Sequence, residues 1–104
     1  GAVETSLMLH LDPSSVRVDR VAAFPAASEA LEARGGELRF HGNGALGWAT
    51  QDLNPSGACG DARLATAQAG GAIVAHAAAR LATLLDEVAA YPLEALREGP
   101  SARA

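Results

Sequence analysis

The sequence predicts the C-terminal part of an α/β domain, built from three segments. Apolar residues at four-residue spacing predict a short helix over residues 2–11, and a polar, glycine-rich stretch over 37–60 predicts a loop with one or two short strands. From residue 61 to about residue 90, apolar residues return every three or four positions, which predicts one long helix. This helix would be roughly 42 Å long, whereas a compact domain of this size is roughly 33 Å across. We therefore expect its alanine-rich face to pack on structure that these 104 residues do not supply.

Composition limits both the core and the partners of the chain. Hydrophobic residues make up 49% of the sequence, but many are alanine and only four residues are aromatic, so little apolar area is available for burial. The net charge is −4 and the eight basic residues, all arginine, are scattered, which argues against nucleic acid and anionic membrane surfaces as partners. The single cysteine, Cys59, cannot form an internal disulfide, so we expect a cytoplasmic protein.

The N-terminal helix presents one carboxylate, Glu4, beside an apolar stripe of Val3, Leu7 and Leu11. Acids in the first turn of a helix are favoured by the helix dipole. Glu4 is therefore either a helix-start acid or a ligand, and its position in the sequence allows both interpretations. His10 lies among apolar residues without a histidine or cysteine at metal-ligand spacing, which favours a packing role.

Residues 12 to 36 predict short elements. Asp12 and Pro13 end the first helix and start a turn, and alternating valines over 16–21 predict a brief extended piece. A weak helical pattern over 26–34 ends at Gly35-Gly36.

The glycine-rich middle is the candidate functional loop. Short strands are predicted over 38–40 and 45–49, and most of the rest must be loop. Loops of this length in a small domain are usually functional or disordered. The loop contains four residues suited to a wall of a substrate pocket: Trp48, Gln51, Asp52 and Asn54. The alternative is that Trp48 fills a subunit contact and that residues 54–57 form only a turn.

The long helix has a predicted N-cap, Asp61, and a predicted end at Tyr91-Pro92. Gly70-Gly71 inside it costs about 1 kcal/mol per glycine relative to alanine, which is best tolerated where another backbone packs close. Residues 1–95 are expected to form one portion of a domain, and residues 96–104 a flexible tail. No residue of the chain is predicted to be catalytic: Cys59 is expected to be a packed thiol, and His41 and His76 to be solvated.

Several segments resemble the creatininase family of amidohydrolases. The opening GAVETS, Gly1–Ser6, resembles the end of the family motif HAGxxETS, beginning immediately after its His-Ala. The resemblance continues in collinear order along most of the chain, through Leu7–Leu9, Asp12-Pro13, Val16-Arg17, the loop Gly47–Gly57 and the segment Gly60–Ala67 with Gly70.

This resemblance implies a three-layer α/β fold with a mainly parallel sheet, often assembled as a homohexamer. It also implies a site with one or two divalent metals such as zinc, manganese or iron, which hydrolyses cyclic amides or other non-peptide C–N bonds. By position, Glu4 matches the acid of the motif and is carried over as a metal-site residue. The metal ligands of the family's N-terminal part and the motif's histidine have no counterpart in this sequence.

One carboxylate cannot hold a catalytic metal, because metal-assisted hydrolysis needs several fixed ligands and a position for water. We therefore expect the isolated chain to be inactive, with most ligands supplied by the N-terminal part of the fold or by a companion chain. Two alternatives remain: a non-catalytic structural or regulatory subunit that docks through the long helix, and a small helical interaction module.

Overall fold

A computed structural model of the chain describes residues 1–99. The chain forms two compact units, and the boundary between them lies inside the long helix, after Ile73. The first unit contains nearly all of the short elements, and the second consists of the rest of the long helix and the C-terminal turn. The structure mixes helices with a small two-stranded sheet, as expected of part of an α/β fold. Residues 100–104 lie outside the described part, and with them most of the predicted flexible tail.

The first unit begins with helix α1, Ala2–Leu11, which has the predicted bounds. The backbone N–H of Asp12 bonds to the carbonyl of Met8 at its C-terminal end, and Pro13 then starts a single 3-10 turn, Pro13–Ser15. The prediction of an extended piece over residues 16–21 is wrong. Residues Val18–Arg20 form a second 3-10 turn, closed by a hydrogen bond from the N–H of Val21 to the carbonyl of Val18.

The sheet joins two segments that are far apart in the sequence. Strand β1, Ala23–Phe24, pairs antiparallel with strand β2, Gly60–Asp61, and Phe24 lies opposite Gly60. Helix α2, Ala27–Glu32, comes after β1 and confirms the weak helical pattern before Gly35. Gly35 has a φ of 70°, the left-handed conformation that commonly ends helices.

The two strands predicted in the middle segment are reduced to one isolated bridge, between Arg39 and Ala45. The N–H of Leu46 bonds to the carbonyl of Arg39, and the N–H of Arg39 bonds to the carbonyl of Gly44, whose φ is 75°. A short helix that was not predicted, α3, spans Thr50–Leu53. Its N-terminal end is closed by the Asp52 carboxylate, which accepts a hydrogen bond from the backbone N–H of Ala49 at 2.8 Å.

The long helix, α4, spans Ala67–Ala90 and ends where predicted. Its predicted N-cap is wrong, because Asp61 instead caps a separate 3-10 turn, Ala62–Leu64, by accepting a hydrogen bond from the N–H of Arg63. Thr66 takes the capping position of α4, and its hydroxyl accepts a hydrogen bond from the N–H of Ala69. A last 3-10 turn, Leu93–Ala95, lies beyond the helix.

Helix α1 crosses the first turns of α4 at Gly70. A Cβ on Gly70 would lie 2.0 Å from the carbonyl oxygen of Ser6 and 2.9 Å from the Cβ of His10. This confirms that a backbone packs closely against the Gly70-Gly71 pair. Only glycine permits this separation, because any side chain would occupy the space taken by the neighbouring main chain.

The buried core is small. Among the described residues, the buried hydrophobic side chains are Phe40, Leu53 and Ala62, and the buried polar one is Ser6. Many large apolar side chains are exposed instead, among them Val3, Met8 and Leu11 on α1 and Leu81, Leu84, Leu85 and Val88 on α4. Across residues 1–99, no helix combines the length and the apolarity that crossing a bilayer requires.

Candidate functional site

Glu4 lies in the first turn of α1, and its side chain is 79% exposed. One carboxylate oxygen, Oε2, lies 3.6 Å from the backbone amino nitrogen of Gly1. The side chain lines an open groove, which we call the Glu4 groove, together with Thr5, Met8, Ser15 and Val16. The carboxylate is therefore accessible, and within the described structure this groove brings no second acid, histidine or cysteine to it.

The described residues do not form a complete metal centre. Nowhere in residues 1–99 do three side chains from histidine, cysteine, aspartate or glutamate come together in a way that would hold a metal ion. A catalytic zinc site in a protein ordinarily uses three protein ligands and keeps one position for water or substrate. Glu4 offers one oxygen donor, and the described residues do not complete such a set around it.

Two glycines fix the start of α1 against strand β2. Gly60, with a φ of 84°, could not carry a Cβ without placing it 3.1 Å from the Cα of Gly1. A Cβ on Gly1 would in turn lie 3.0 Å from the carbonyl oxygen of Cys59. This close approach places the turn that contains Glu4 beside the segment Cys59–Asp61.

A buried hydrogen bond joins the same two parts of the chain further along. Ser6 is only 2% exposed, and its hydroxyl accepts a hydrogen bond from the backbone N–H of Thr66 at 3.0 Å. This bond fixes α1 to the N-terminal end of α4. Sequence reasoning did not single out Ser6, although a lone small polar residue on an apolar helix face was a signal that could have identified it.

The Trp48 side chain belongs to a small aromatic cluster. Its ring packs edge-to-face against Phe40, with centroids 6.3 Å apart, and against His41, with centroids 5.2 Å apart. The indole N–H donates a hydrogen bond of 2.7 Å to the carbonyl of Phe40. The residue remains 38% exposed, so one part of the ring is held by the loop and another part is free to contact a ligand or a partner.

The polar residues of the candidate loop stabilise the loop itself. The carboxylate of Asp52 closes the N-terminal end of α3. The Asn54 amide donates to the carbonyl of Pro25 at 3.0 Å and accepts from the Ser56 N–H and hydroxyl. Gln51 is exposed on α3. None of these residues, nor Trp48, lines the Glu4 groove in the described part of the chain, so the structure does not bring the candidate loop and Glu4 into one pocket.

A charged pair stabilises the segment before α4. The Arg63 guanidinium donates two hydrogen bonds to the Asp61 carboxylate, at 2.8 and 2.7 Å. These bonds favour the ionised carboxylate and lower the pKa of Asp61 below its ordinary value. The carboxylate in turn raises the pKa of Arg63. The pair lies directly after Gly60, whose backbone approaches Gly1.

Comparison with known proteins identifies the family. The model of the family described as creatininase, creatinine amidohydrolase, matches residues 1–85, which is most of the chain. No curated protein and no solved structure matches the chain significantly. The matched range includes α1 with Glu4, the candidate loop and most of α4. The chain therefore belongs to the creatininase family.

Proposed function

We propose that this chain is the C-terminal part of a metal-dependent amidohydrolase that hydrolyses a cyclic amide or another non-peptide C–N bond. The observation that carries the proposal is the family match over residues 1–85, since membership in this family suggests an amidohydrolase. The three-layer arrangement with a mainly parallel sheet would then be completed by residues outside this chain.

Glu4 is the residue of this chain that we assign to the metal site. Its carboxylate is exposed at the start of α1, and its position in the segment Gly1–Ser6 matches the acid of the family motif. Because the described residues form no group of three or more possible ligands, the remaining donors for zinc, manganese or iron would lie in the N-terminal part of the fold. By itself, the 104-residue chain would be inactive.

The exposed apolar surface of α4 supports the proposal that another part of the fold, or a companion chain, packs against this chain. In the second unit, Leu81, Leu84, Leu85 and Val88 are each more than half exposed. Apolar residues at these spacings lie on one side of a helix. Covering such a surface would stabilise the protein by about 25 cal/mol per Å² of buried apolar area. We propose that the N-terminal part of the same fold, or a companion chain, covers this face.

The candidate loop would form a wall of the substrate pocket in the complete enzyme. Trp48 supports this role because its ring is held in place by Phe40 and yet is partly exposed. Asp52 and Asn54 would keep the loop rigid, and Gln51 would be free to bind substrate. The complete enzyme would be a cytoplasmic homo-oligomer, such as a hexamer, acting on a small-molecule amide and not on nucleic acid or membranes.

A second function is favoured by the isolation of Glu4 from other ligands. A non-catalytic structural or regulatory subunit, or a small helical interaction module, would also need the exposed face of α4 but no metal. Metal analysis and amide hydrolysis assays separate these functions. The proposal predicts that the chain alone neither binds metal tightly nor hydrolyses amides. It predicts that the chain together with its N-terminal part does both. Turnover by the chain alone, or binding of the N-terminal part without metal and turnover, would contradict it.

A further inference from the structure

Two arginines face one groove in the first unit, next to the Glu4 groove. Arg17 precedes the second 3-10 turn and Arg20 ends it, and both side chains line a groove of about 370 Å³ with Phe24, Ser56 and Ala58. The same two arginines and Phe24 also line an adjoining groove with Thr5, Ser15 and Val16. We call the two together the arginine groove.

The charge of this groove is positive although the whole chain is acidic. No aspartate or glutamate lines either part of it in the described structure. Arg20 pairs with Asp19, whose Oδ2 lies 3.5 Å from the Nε of Arg20, and both side chains are largely exposed. Arg17 forms no ion pair within residues 1–99. At least one guanidinium is therefore free to bind an anion.

The uncharged lining of the groove is mostly apolar or already hydrogen-bonded. The Ser56 hydroxyl is already committed, since it donates to Asn54 and accepts from the N–H of Ala58, so it adds no free donor. Phe24, Val21 and Ala58 supply apolar surface next to the two guanidinium groups. Guanidinium groups match the planar geometry of carboxylates. An apolar body carrying a carboxylate fits this combination better than a fully hydrated phosphate ion.

We propose that the arginine groove binds the carboxylate end of a small organic acid. Thr5, Ser15 and Val16 line both this groove and the Glu4 groove, so the bound molecule would extend toward Glu4. This arrangement defines a substrate class: an amide that also carries a carboxylate group. The inference about the substrate class rests on the proposed function, whereas the inference that the groove binds a carboxylate does not.

The test is titration of the natively prepared protein with phenylacetate, monitored by NMR or calorimetry. We expect saturable binding that weakens about threefold in each of Arg17→Gln and Arg20→Gln, and about tenfold in the double variant, as exposed ion pairs are individually weak. Arg34→Gln, an exposed arginine away from the groove, is the matched control and is expected to bind unchanged. Circular dichroism of each variant checks that the helices are intact.

Two further probes separate the sources of affinity. Phenylacetamide has the same body without the charge and is expected to bind at least about threefold more weakly, while inorganic phosphate tests for a general anion site. The proposal would be overturned if phenylacetamide or inorganic phosphate bound as tightly as phenylacetate. It would also be overturned if Arg34→Gln weakened phenylacetate binding as much as Arg17→Gln or Arg20→Gln. Carboxylate binding without amide hydrolysis by the complete enzyme would contradict the proposed function but leave the groove assignment intact.

Discussion

The Ser6 hydroxyl accepts a hydrogen bond from the backbone N–H of Thr66, across 60 positions of sequence. Both residues lie in segments that resemble the creatininase family, Gly1–Ser6 and Gly60–Ala67. The bond therefore joins two segments that are distant in the sequence. Glu4, which precedes Ser6 by two positions, lies in the first turn of the same helix.

Replacing Ser6 by alanine is expected to destabilise the protein by about 1–3 kcal/mol, because the Thr66 N–H would lose its partner in a partly buried position. Urea unfolding of the natively prepared protein measures this free energy. Ser14→Ala is the matched control, since the Ser14 hydroxyl bonds to Asp12 on the surface and its loss should cost less than about 0.5 kcal/mol. Equal effects of the two substitutions would show that the Ser6 bond contributes little.

Gly70 and Gly71 are adjacent but should respond differently to alanine. Gly70→Ala places a Cβ 2.0 Å from the main-chain oxygen of Ser6, which cannot move without separating α1 from α4. We expect a loss of about 2 kcal/mol or more in the free energy of unfolding. Gly71→Ala meets only the His10 ring, at 3.1 Å, and this exposed side chain is free to rotate.

For Gly71→Ala we expect a change within about 1 kcal/mol, because better helix propensity offsets the shift of His10. Thermal unfolding of both variants in parallel is the measurement. Tolerance of Gly70→Ala at the level of Gly71→Ala would contradict the close crossing of the two helices.

Protonation of Asp61 is expected to weaken the first unit at low pH. The Arg63 guanidinium holds the pKa of Asp61 below its ordinary value of 3.8. The stabilising contribution is therefore fully present above the unfolded pKa and is lost as the pH falls through the lower folded pKa. Arg63→Ala should raise the pKa of Asp61 toward 3.8. Carboxyl-carbon NMR titration measures the shift, with Arg34→Ala as the control, and an unchanged Asp61 titration in Arg63→Ala would contradict the pairing.

Trp48 provides a kinetic test of the candidate loop in the complete enzyme. If its exposed ring contacts substrate, Trp48→Ala should raise KM about tenfold. This change corresponds to a loss of about 1.4 kcal/mol of substrate-binding free energy. Tyr91→Ala removes a similarly exposed ring just after α4 and should leave KM unchanged. Unchanged KM and kcat in Trp48→Ala would instead favour a subunit contact for this residue.

Apolar periodicity predicted the two longest helices, α1 and α4, but not the short helix α3. The bounds of α1 were correct because Val3, Leu7 and Leu11 repeat at helical spacing, and the end of α4 was correct because Tyr91-Pro92 stops the helix. The start of α4 was misplaced, because the sequence offers two good caps, Asp61 and Thr66, and only the structure shows that each closes a different turn.

The site was less accessible to sequence reasoning. The contacts that organise it are long-range: Ser6 to Thr66, Gly1 to Gly60, and Asn54 to the carbonyl of Pro25. A period of 3.6 residues describes one helix face and does not specify which distant segment that face meets. The family resemblance points to Glu4 as a metal-site residue, which stays a prediction. The loop residues are predicted from their chemistry, and in the structure Asp52 and Asn54 are engaged in hydrogen bonds within the loop and to Pro25.

We propose that Glu4 is part of a metal site that other residues complete. The most direct measurement is the metal content of the complete enzyme, assembled from this chain and its N-terminal part, in the wild type and in Glu4→Gln. Glu29→Gln, which changes an exposed acid on α2, is the matched control. We predict that the wild type and the control contain bound divalent metal. We predict that Glu4→Gln loses this metal because its metal affinity falls by about tenfold or more. Full metal occupancy and full amide hydrolysis in Glu4→Gln would contradict this claim.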